Sequence, residues 1–385
     1  MDLETAKQLE SKHLMHTYKR SNILLTSGKG MYVTDSNGKQ YLDFVGGIAT
    51  CVIGYGNQEF AEAIKQQAMQ LTNTTNLYYT EPQLVLAEKL CKLSGSGEKV
   101  FFSNSGTEAN EAAFKLARLC TKKTKIISVE GGFHGRTYGS LSATSTQKYR
   151  TPFEPLVPDF QIVHDNLDAI EKAIDTNTAA VIIECIQGES GVKVHSAEYL
   201  KQLRELTLEK NALLIVDEVQ TGNGRTGKFF AFQHAGIKPD IVTLAKGLGN
   251  GVPIGATIAF GGLNYSPGLH GSTFGGNSLA CSAANFTIEY ILRHNLMQNA
   301  ATIGDYFMTK LENMNSSLVK EVRGKGLMVG LELNQEGTEI VYRCAEAGLL
   351  VNCTAKNTLR FLPPLIVTKA DVDKCINILS EVLVK

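Results

Sequence analysis

The chain has 385 residues, 38 basic and 38 acidic side chains, 43% hydrophobic residues and no Trp. This length suffices for two ordinary domains, and the composition excludes a miniature protein or a disordered chain. The formal net charge of zero gives no broad positive field, so we expect neither a nucleic-acid partner nor binding to an anionic membrane. The expected partners are small molecules or another subunit.

Eight cysteines are scattered along the chain without a Cys-x-x-Cys pair, which fits neither a zinc site nor a disulfide framework. A reducing compartment is the simplest interpretation. The N-terminal segment carries charges throughout and lacks the apolar core of a signal peptide, and no apolar run approaches the ~18 residues of a membrane span. We therefore expect a cytoplasmic protein without a metal site.

The first 50 residues predict a polar helix followed by short strands. In the segment 23–44, alternating apolar residues flank an Asn37-Gly38 pair, a pattern typical of a β-hairpin. We expect 1–50 to join a smaller domain and not to form the catalytic core.

A different pattern runs from about residue 57 to 280, where short apolar stretches alternate with helical segments. The predicted strands are 100–103, 125–129, 179–184, 212–217 and 240–245. Continuous apolar strands between helices indicate an α/β fold with a parallel sheet covered on both faces. We assign 51–285 to this large domain.

Beyond a helix predicted around 277–293, helices and strands follow in another order. The pattern predicts strands within 322–333, 349–352 and 358–362, a helix near 336–347 and a final helix from residue 369. This order indicates a smaller α+β domain over 286–385, to which the N-terminal hairpin contributes.

The glycine-rich segment 222–227 permits more than one interpretation. Gly222, Gly224 and Gly227 match the dinucleotide fingerprint G-x-G-x-x-G, which suggests an NAD-dependent dehydrogenase. In a true fingerprint the first glycine ends the strand, whereas here several residues separate the two. A phosphate-binding P-loop matches less well, because Phe229 stands where a Ser or Thr must bind magnesium.

An acid and a lysine follow two neighbouring predicted strands. Asp217 comes directly after four apolar residues, and Lys246 follows the next strand, 29 residues later. Ligands of parallel α/β sheets bind at the carboxyl ends of the strands, so both side chains should face one crevice. A structural salt bridge between them is the alternative interpretation.

Two further loops leave the same predicted edge. Ser105, Gly106 and Thr107 precede a strongly helical stretch, where free backbone amides and the helix dipole favour an anion, although an ordinary N-cap would use the same residues. The loop after the following strand offers Phe133, His134 and Arg136, of which His134 is more typical of a hydrogen-bonded loop residue. The ring could stack on a planar ligand, and the guanidinium could hold a carboxylate.

Eight sequence blocks carry a family resemblance. They are NSGTEANEAAFKLAR, FHGRT, ECIQGESGV, LLIVDEVQTGNGRTG, PDIVTLAKGLGNGVPIGA, HGSTFGGN, VRGKGLMVG and LRFLPPL. From about residue 20 to its end, the chain resembles the class III pyridoxal-phosphate-dependent aminotransferases, in particular those of the acetylornithine type. The resemblance implies aminotransferase fold type I: a large domain with a mostly parallel seven-stranded sheet, a small domain from both chain ends, and a homodimer with shared active sites.

The resemblance also implies how pyridoxal 5′-phosphate is bound. Lys246 would form the Schiff base and move the proton, and Asp217 would hold the pyridine nitrogen protonated. The other implied cofactor contacts are Ser105, Gly106 and Thr107 at the phosphate, Phe133 on the ring, Gln220 at the phenolic oxygen, and Thr273 at the phosphate of the neighbouring subunit.

Two arginines would bind the substrates. By resemblance, Arg136 holds the carboxylate remote from the reacting carbon, and Arg360 holds the α-carboxylate of 2-oxoglutarate or glutamate. Glu189 would pair with Arg360 while a terminal amine reacts, because a bare buried guanidinium is costly. Ser272 would contact the acetylated substrate from the partner subunit.

The implied reaction transfers the terminal amino group of N-acetylornithine to 2-oxoglutarate by a ping-pong mechanism through pyridoxamine phosphate. Its products are N-acetylglutamate semialdehyde and glutamate, a step of arginine biosynthesis. Ornithine δ-aminotransferase is the nearest alternative, and enzymes for succinylornithine, acetyl-lysine or 4-aminobutyrate share the catalytic set. From other classes, an NAD-dependent dehydrogenase and a non-catalytic binding protein stay open.

Overall fold

The computed structural model describes residues 1–383, in which helices and strands alternate along most of the chain. The first elements are α1 (Leu3–His13), β1 (Leu25–Lys29), β2 (Tyr32–Asp35), β3 (Gln40–Asp43), α2 (Gly46–Ala49), α3 (Gln58–Gln70) and α4 (Glu81–Ser94). The central elements are β4 (Lys99–Ser103), α5 (Gly106–Thr121), β5 (Lys125–Val129), α6 (Tyr138–Ala143), α7 (Gln147–Arg150), β6 (Phe160–Val163), α8 (Leu167–Ala173), β7 (Thr178–Ile183), β8 (Ile186–Gln187), β9 (Lys193–Val194), α9 (Ala197–Glu209), β10 (Leu213–Asp217), β11 (Ile241–Leu244) and β12 (Gly255–Ala259). The last are α10 (Ser278–Arg293), α11 (Leu296–Glu312), β13 (Val319–Lys325), β14 (Met328–Leu333), α12 (Thr338–Glu346), β15 (Leu349–Leu350), β16 (Asn352–Thr354), β17 (Thr358–Phe361) and α13 (Lys369–Val382).

A seven-stranded sheet in the order β4-β12-β11-β10-β7-β5-β6 forms the centre of the fold. Strand β12 runs antiparallel to both of its neighbours, and the remaining pairs are parallel. This sheet confirms the predicted α/β class with a mostly parallel sheet. Strands β6 and β12 were not among the strands predicted from apolar runs.

Helices cover both faces of this sheet, as β7 illustrates. Ala180 and Ile182 lie in an apolar cluster with the buried face of α5, whereas Val181 and Ile183 lie in a cluster with α4, α8, α9 and α10. All four side chains are fully buried. A strand buried on both faces must be apolar at every position, which explains its unbroken apolar sequence.

Two four-stranded sheets lie outside the central one, and the first of them joins the two ends of the chain. The predicted hairpin is β2–β3, and β3 pairs in parallel with β15, so that Leu42 lies opposite Leu349. The other sheet, β13-β14-β17-β16, is antiparallel throughout, and α11 and α13 pack with it around a second apolar core. We propose domain boundaries at 1–50, 51–285 and 286–385. None of the helices within residues 1–383 is both long and apolar enough to cross a membrane.

Candidate active site

Five parallel strands of the central sheet, β4, β5, β7, β10 and β11, end at one cavity of about 430 Å³. This volume lies in the usual range of about 300–1,000 Å³ for small-molecule sites. The predicted site residues that line it are Ser105, Gly106, Thr107, Phe133, Arg136, Asp217, Gln220 and Lys246. The loops that the sheet-edge argument expected to lie together therefore meet at one cavity.

One wall of the cavity is the N-terminus of α5. Ser105 is the N-cap residue, and its Oγ accepts a hydrogen bond from the Glu108 amide. The amides of Gly106 and Thr107 precede the first intrahelical bond and donate to no acceptor among the described residues. A Cβ on Gly106 would lie 2.7 Å from Val219, so the helix start is packed closely. The N-cap and the anion site thus coexist, because they use different donors.

Asp217, the last residue of β10, is held in place by three donors. Its Oδ2 accepts from Asn110 Nδ2 and His134 Nδ1, both at 2.8 Å, and its Oδ1 accepts from the Val219 amide at 3.0 Å. Thr243 Oγ1 in turn donates to Asn110 Oδ1 at 2.8 Å. The carboxylate is 3% exposed. It forms no salt bridge with Lys246, so the structural-pair interpretation is wrong.

Lys246 lies just beyond β11 and lines the same cavity. Its φ of +45° is in the left-handed region, where a residue with a side chain is strained. Desolvation in the cavity lowers the pKa of its ammonium group. A lowered pKa increases the share of the neutral amine, which is the nucleophilic form.

Two buried polar residues that line the cavity, Asn110 and Glu184, were missed as site residues, and His134 was interpreted as an ordinary hydrogen-bonded loop residue. Glu184 is 4% exposed, and burial raises the pKa of its carboxyl group to about 7. Its Oε1 accepts from the Phe133 amide at 2.9 Å. The signal used for Asp217, an acid directly after an apolar strand, also marks Glu184. Only tertiary contacts identify Asn110.

Arg136 and the predicted arginine–glutamate pair are both present at the site. Arg136 is exposed and lines the cavity. Arg360 is 1% exposed, and its Nη1 donates to Glu189 Oε1 at 2.6 Å, to Gln220 Oε1 at 2.9 Å and to the Gly188 carbonyl at 3.1 Å. Partial burial opposes ionisation of Glu189, but the Arg360 charge outweighs it and lowers the pKa of that carboxyl group. Gln220 connects this pair to the cavity wall.

Ser272 and Thr273 lie outside the cavity of this chain. Asn104, which lines the cavity, donates through Nδ2 to Ser272 Oγ at 3.3 Å, and Thr273 is exposed. Their proposed reach into a neighbouring subunit stays a prediction.

The glycines of 222–227 do not form a dinucleotide site. They lie in consecutive turns after β10, and the chain continues into a short 3-10 turn, Ala231–His234, instead of an α-helix. The fingerprint requires a helix N-terminus directly after the glycines to bind the pyrophosphate. The dehydrogenase interpretation of this segment is therefore wrong.

The chain is similar to known proteins over almost its whole length. The family model described as aminotransferase class-III matches residues 15–383. The acetylornithine aminotransferase of Aquifex aeolicus is 48% identical over 379 residues, which cover 96% of this chain and 100% of that protein. Its counterpart from Methanocaldococcus jannaschii is also 48% identical, covering 99% of this chain and 98% of that protein.

Solved structures agree with these relatives. The ornithine aminotransferase of Toxoplasma gondii, described with partial occupancy of PLP at its active site, superposes with a TM-score of 0.95 at 32% identity and covers 99% of this chain and 94% of that one. The acetylornithine aminotransferase of Elizabethkingia anophelis gives a TM-score of 0.88 at 32% identity and covers 100% and 99%.

Proposed function

This chain belongs to the class III aminotransferases, a family of pyridoxal-phosphate-dependent transaminases, and from that premise we propose that it transfers the terminal amino group of N-acetylornithine to 2-oxoglutarate. The products are N-acetylglutamate semialdehyde and glutamate, as required for arginine biosynthesis. The observation that supports this proposal most directly is the pairing of the buried Arg360 with the partly exposed Glu189 beside the cavity, because it suits a site that must accept two different substrates in turn.

The cavity residues fit pyridoxal 5′-phosphate. The unbonded amides of Gly106 and Thr107 suit the phosphate, beside the Ser105 hydroxyl, which donates to Glu108 Oε2 at 2.8 Å. The fixed Asp217 carboxylate suits a protonated pyridine nitrogen. Phe133 and Gln220 line the same space and are available to the ring and its phenolic oxygen. When bound, the cofactor supplies a cationic conjugated ring that withdraws electrons from the reacting carbon.

The protein's own groups then perform three tasks. Lys246, whose pKa is lowered, binds the cofactor as a neutral amine and later moves the proton at the carbon that carries the amino group. Asn110 and His134 hold the Asp217 carboxylate in one orientation. Glu184 accepts a hydrogen bond from the Phe133 amide and so fixes the loop that carries the Phe133 side chain.

Arg136 and Arg360 divide the substrate carboxylates between them. Arg136 binds the carboxylate remote from the reacting carbon in both substrates. N-acetylornithine has no carboxylate next to its terminal amine, and during that half-reaction Glu189 neutralises Arg360. Glutamate and 2-oxoglutarate carry an α-carboxylate, which replaces Glu189 on the guanidinium.

We also propose a cytoplasmic homodimer in which Thr273 reaches the cofactor phosphate, and Ser272 the acetylated substrate, of the other subunit. Exposed apolar side chains surround this region: Leu77 (83%), Tyr78 (70%), Tyr79 (92%) and Phe274 (60%). The segment that carries Leu77, Tyr78 and Tyr79 is joined to the one that carries Phe274. Asn76 Nδ2 donates to the carbonyls of Ser272 and Gly275. An apolar surface of this kind beside the cavity is typical of a subunit interface.

A single-turnover experiment tests the substrate. N-acetylornithine, ornithine and 4-aminobutyrate are added separately to the cofactor-loaded enzyme without a keto acid, and the absorbance of the lysine-bound cofactor is followed. We expect a fast loss with N-acetylornithine and a slow one with the others. An equal rate with ornithine would leave the proposed catalytic residues unchanged but would indicate ornithine δ-aminotransferase activity. The similarity to the Toxoplasma gondii enzyme makes this activity the second candidate.

A further inference from the structure

The guanidinium of Arg136 is held by aromatic rings and by no carboxylate of residues 1–383. Its Cζ lies 3.7 Å from the centroid of the Tyr149 ring and 5.5 Å from that of Phe133. The two rings meet edge to face, with their centroids 6.3 Å apart and an interplanar angle of 83°. Arg136 lines the cavity, whereas Tyr149, in α7, is not among the residues that line it.

The loop backbone around Arg136 is fixed by other contacts. The Phe133 amide donates to Glu184 Oε1 at 2.9 Å, and the Ser140 amide donates to Glu111 Oε1 at 3.0 Å. These bonds hold the loop on both sides of the arginine. Removing the Tyr149 ring therefore leaves these backbone contacts in place and releases the Arg136 side chain and one edge contact of Phe133.

We propose that Tyr149 is a positioning residue that stacks on Arg136 and aims its N–H groups at the remote carboxylate of the substrate. This inference rests on the proposed function, in which Arg136 binds that carboxylate. Stacking engages the flat face of the guanidinium, so its in-plane N–H donors stay available for a bidentate contact. Lys148, whose Nζ lies 5.4 Å from the same ring, adds a second positive charge nearby.

The physical benefit is preorganisation. A long exposed arginine loses rotamer freedom when it binds a carboxylate, and that loss weakens binding. Stacking on a tyrosine restricts the side chain before the substrate arrives. A cation–π contact at an exposed arginine corresponds to a change of about 2- to 5-fold in affinity.

The test compares Tyr149→Leu with Tyr149→Phe, which keeps the ring face, and with Tyr138→Leu, an exposed tyrosine of the same loop region. The two amino donors are N-acetylornithine and its α-carboxamide, which differ only in the remote carboxylate. We expect Tyr149→Leu to raise KM for N-acetylornithine about 2- to 5-fold and to leave kcat/KM for the carboxamide nearly unchanged. Tyr149→Phe and Tyr138→Leu should behave like the wild type.

A second measurement needs no turnover. Glutarate has two carboxylates and no reacting group, and calorimetry of its binding to the cofactor-loaded enzyme should show the same loss of affinity in Tyr149→Leu alone. Tyr149→Met provides a second non-aromatic variant if the leucine variant does not fold.

Three outcomes overturn the inference: an equal loss with both amino donors, an equal loss in Tyr149→Phe, or unchanged glutarate affinity in both non-aromatic variants. If the wild type fails to react with N-acetylornithine, the proposed substrate is wrong. The glutarate measurement then decides the role of Tyr149 by itself, because it does not depend on the amino donor.

Discussion

The exchange of carboxylates on Arg360 predicts the effect of replacing Glu189. In Glu189→Gln, Arg360 stays buried at 1% exposure and keeps the acceptors Gln220 and Gly188, but it loses its carboxylate partner. A substrate α-carboxylate then no longer competes with an internal one. We expect glutamate and 2-oxoglutarate to bind more tightly and the N-acetylornithine half-reaction to slow down, because its amine now meets an uncompensated cation.

The magnitude follows from the exposure of the pair. Two unit charges about 4 Å apart interact by about 1 kcal/mol in water and by about 4 kcal/mol at an effective dielectric constant of 20. The Glu189 side chain is 34% exposed, so a value near 2 kcal/mol between these limits applies. This corresponds to a gain of about 30-fold in affinity for the keto acid.

The assay measures both half-reactions separately by single-turnover absorbance, together with the Kd for glutarate. Glu198→Gln, an exposed glutamate in the first turn of α9, is the matched control and should change neither half-reaction. An equal loss in both half-reactions, or a collapse of cofactor occupancy in Glu189→Gln, would refute the exchange of partners on Arg360.

Three further substitutions test the site and the fold. Lys246→Ala should abolish transamination. It should leave the unfolding temperature unchanged or higher, because a desolvated amine is removed. A globally unfolded variant, as measured by circular dichroism, would contradict this role. Burial raises the pKa of Glu218 to about 7, so its contribution to stability is complete below the unfolded pKa of about 4.3 and is lost as the pH rises through about 7. Glu218→Gln should therefore flatten the fall in unfolding temperature between about pH 4.3 and pH 7, and an unchanged slope would count against it. Gly304→Ala would place a Cβ 2.1 Å from the Gly326 carbonyl oxygen and should lower the free energy of unfolding in urea by about 1–3 kcal/mol, whereas Gly271→Ala, which meets nothing within 4 Å, should not.

Apolar runs predicted the strands that are buried on both faces, and they failed where the fold demands small residues. Strand β12 contains Gly255 and Ala256, which continue the glycine-rich stretch after Lys246 and therefore suggest a loop. The structure explains them, because a Cβ on Gly255 would lie 2.3 Å from the Ser105 carbonyl oxygen. Strand β6 is a short edge strand with partly exposed residues, so its apolar signal is weak.

The part of the candidate site that could be predicted from the sequence is the part that lies at the carboxyl ends of the strands. The carboxyl ends of the strands identified Asp217 and Lys246, and the same rule would have identified Glu184. Asn110 lies 107 positions before Asp217 in sequence, and only the fold brings the two together. Glu189 and Arg360 are separated by 171 positions, and their pairing came from family resemblance and not from any local pattern.

Several charged groups at the cavity are buried where they destabilise the fold, and this placement indicates that they serve the reaction. Burial in the cavity desolvates Lys246 and raises the pKa of the Glu184 carboxyl group to about 7. Arg360 is buried beside the cavity, where it pairs with one partly exposed carboxylate, that of Glu189. Well-packed apolar residues would stabilise such positions better. A neutral lysine and an arginine that can change partners are what amino-group transfer between two substrates requires. The destabilising features thus coincide with the groups that the reaction uses, whereas the apolar clusters on the two faces of the sheet supply the stability that tolerates them.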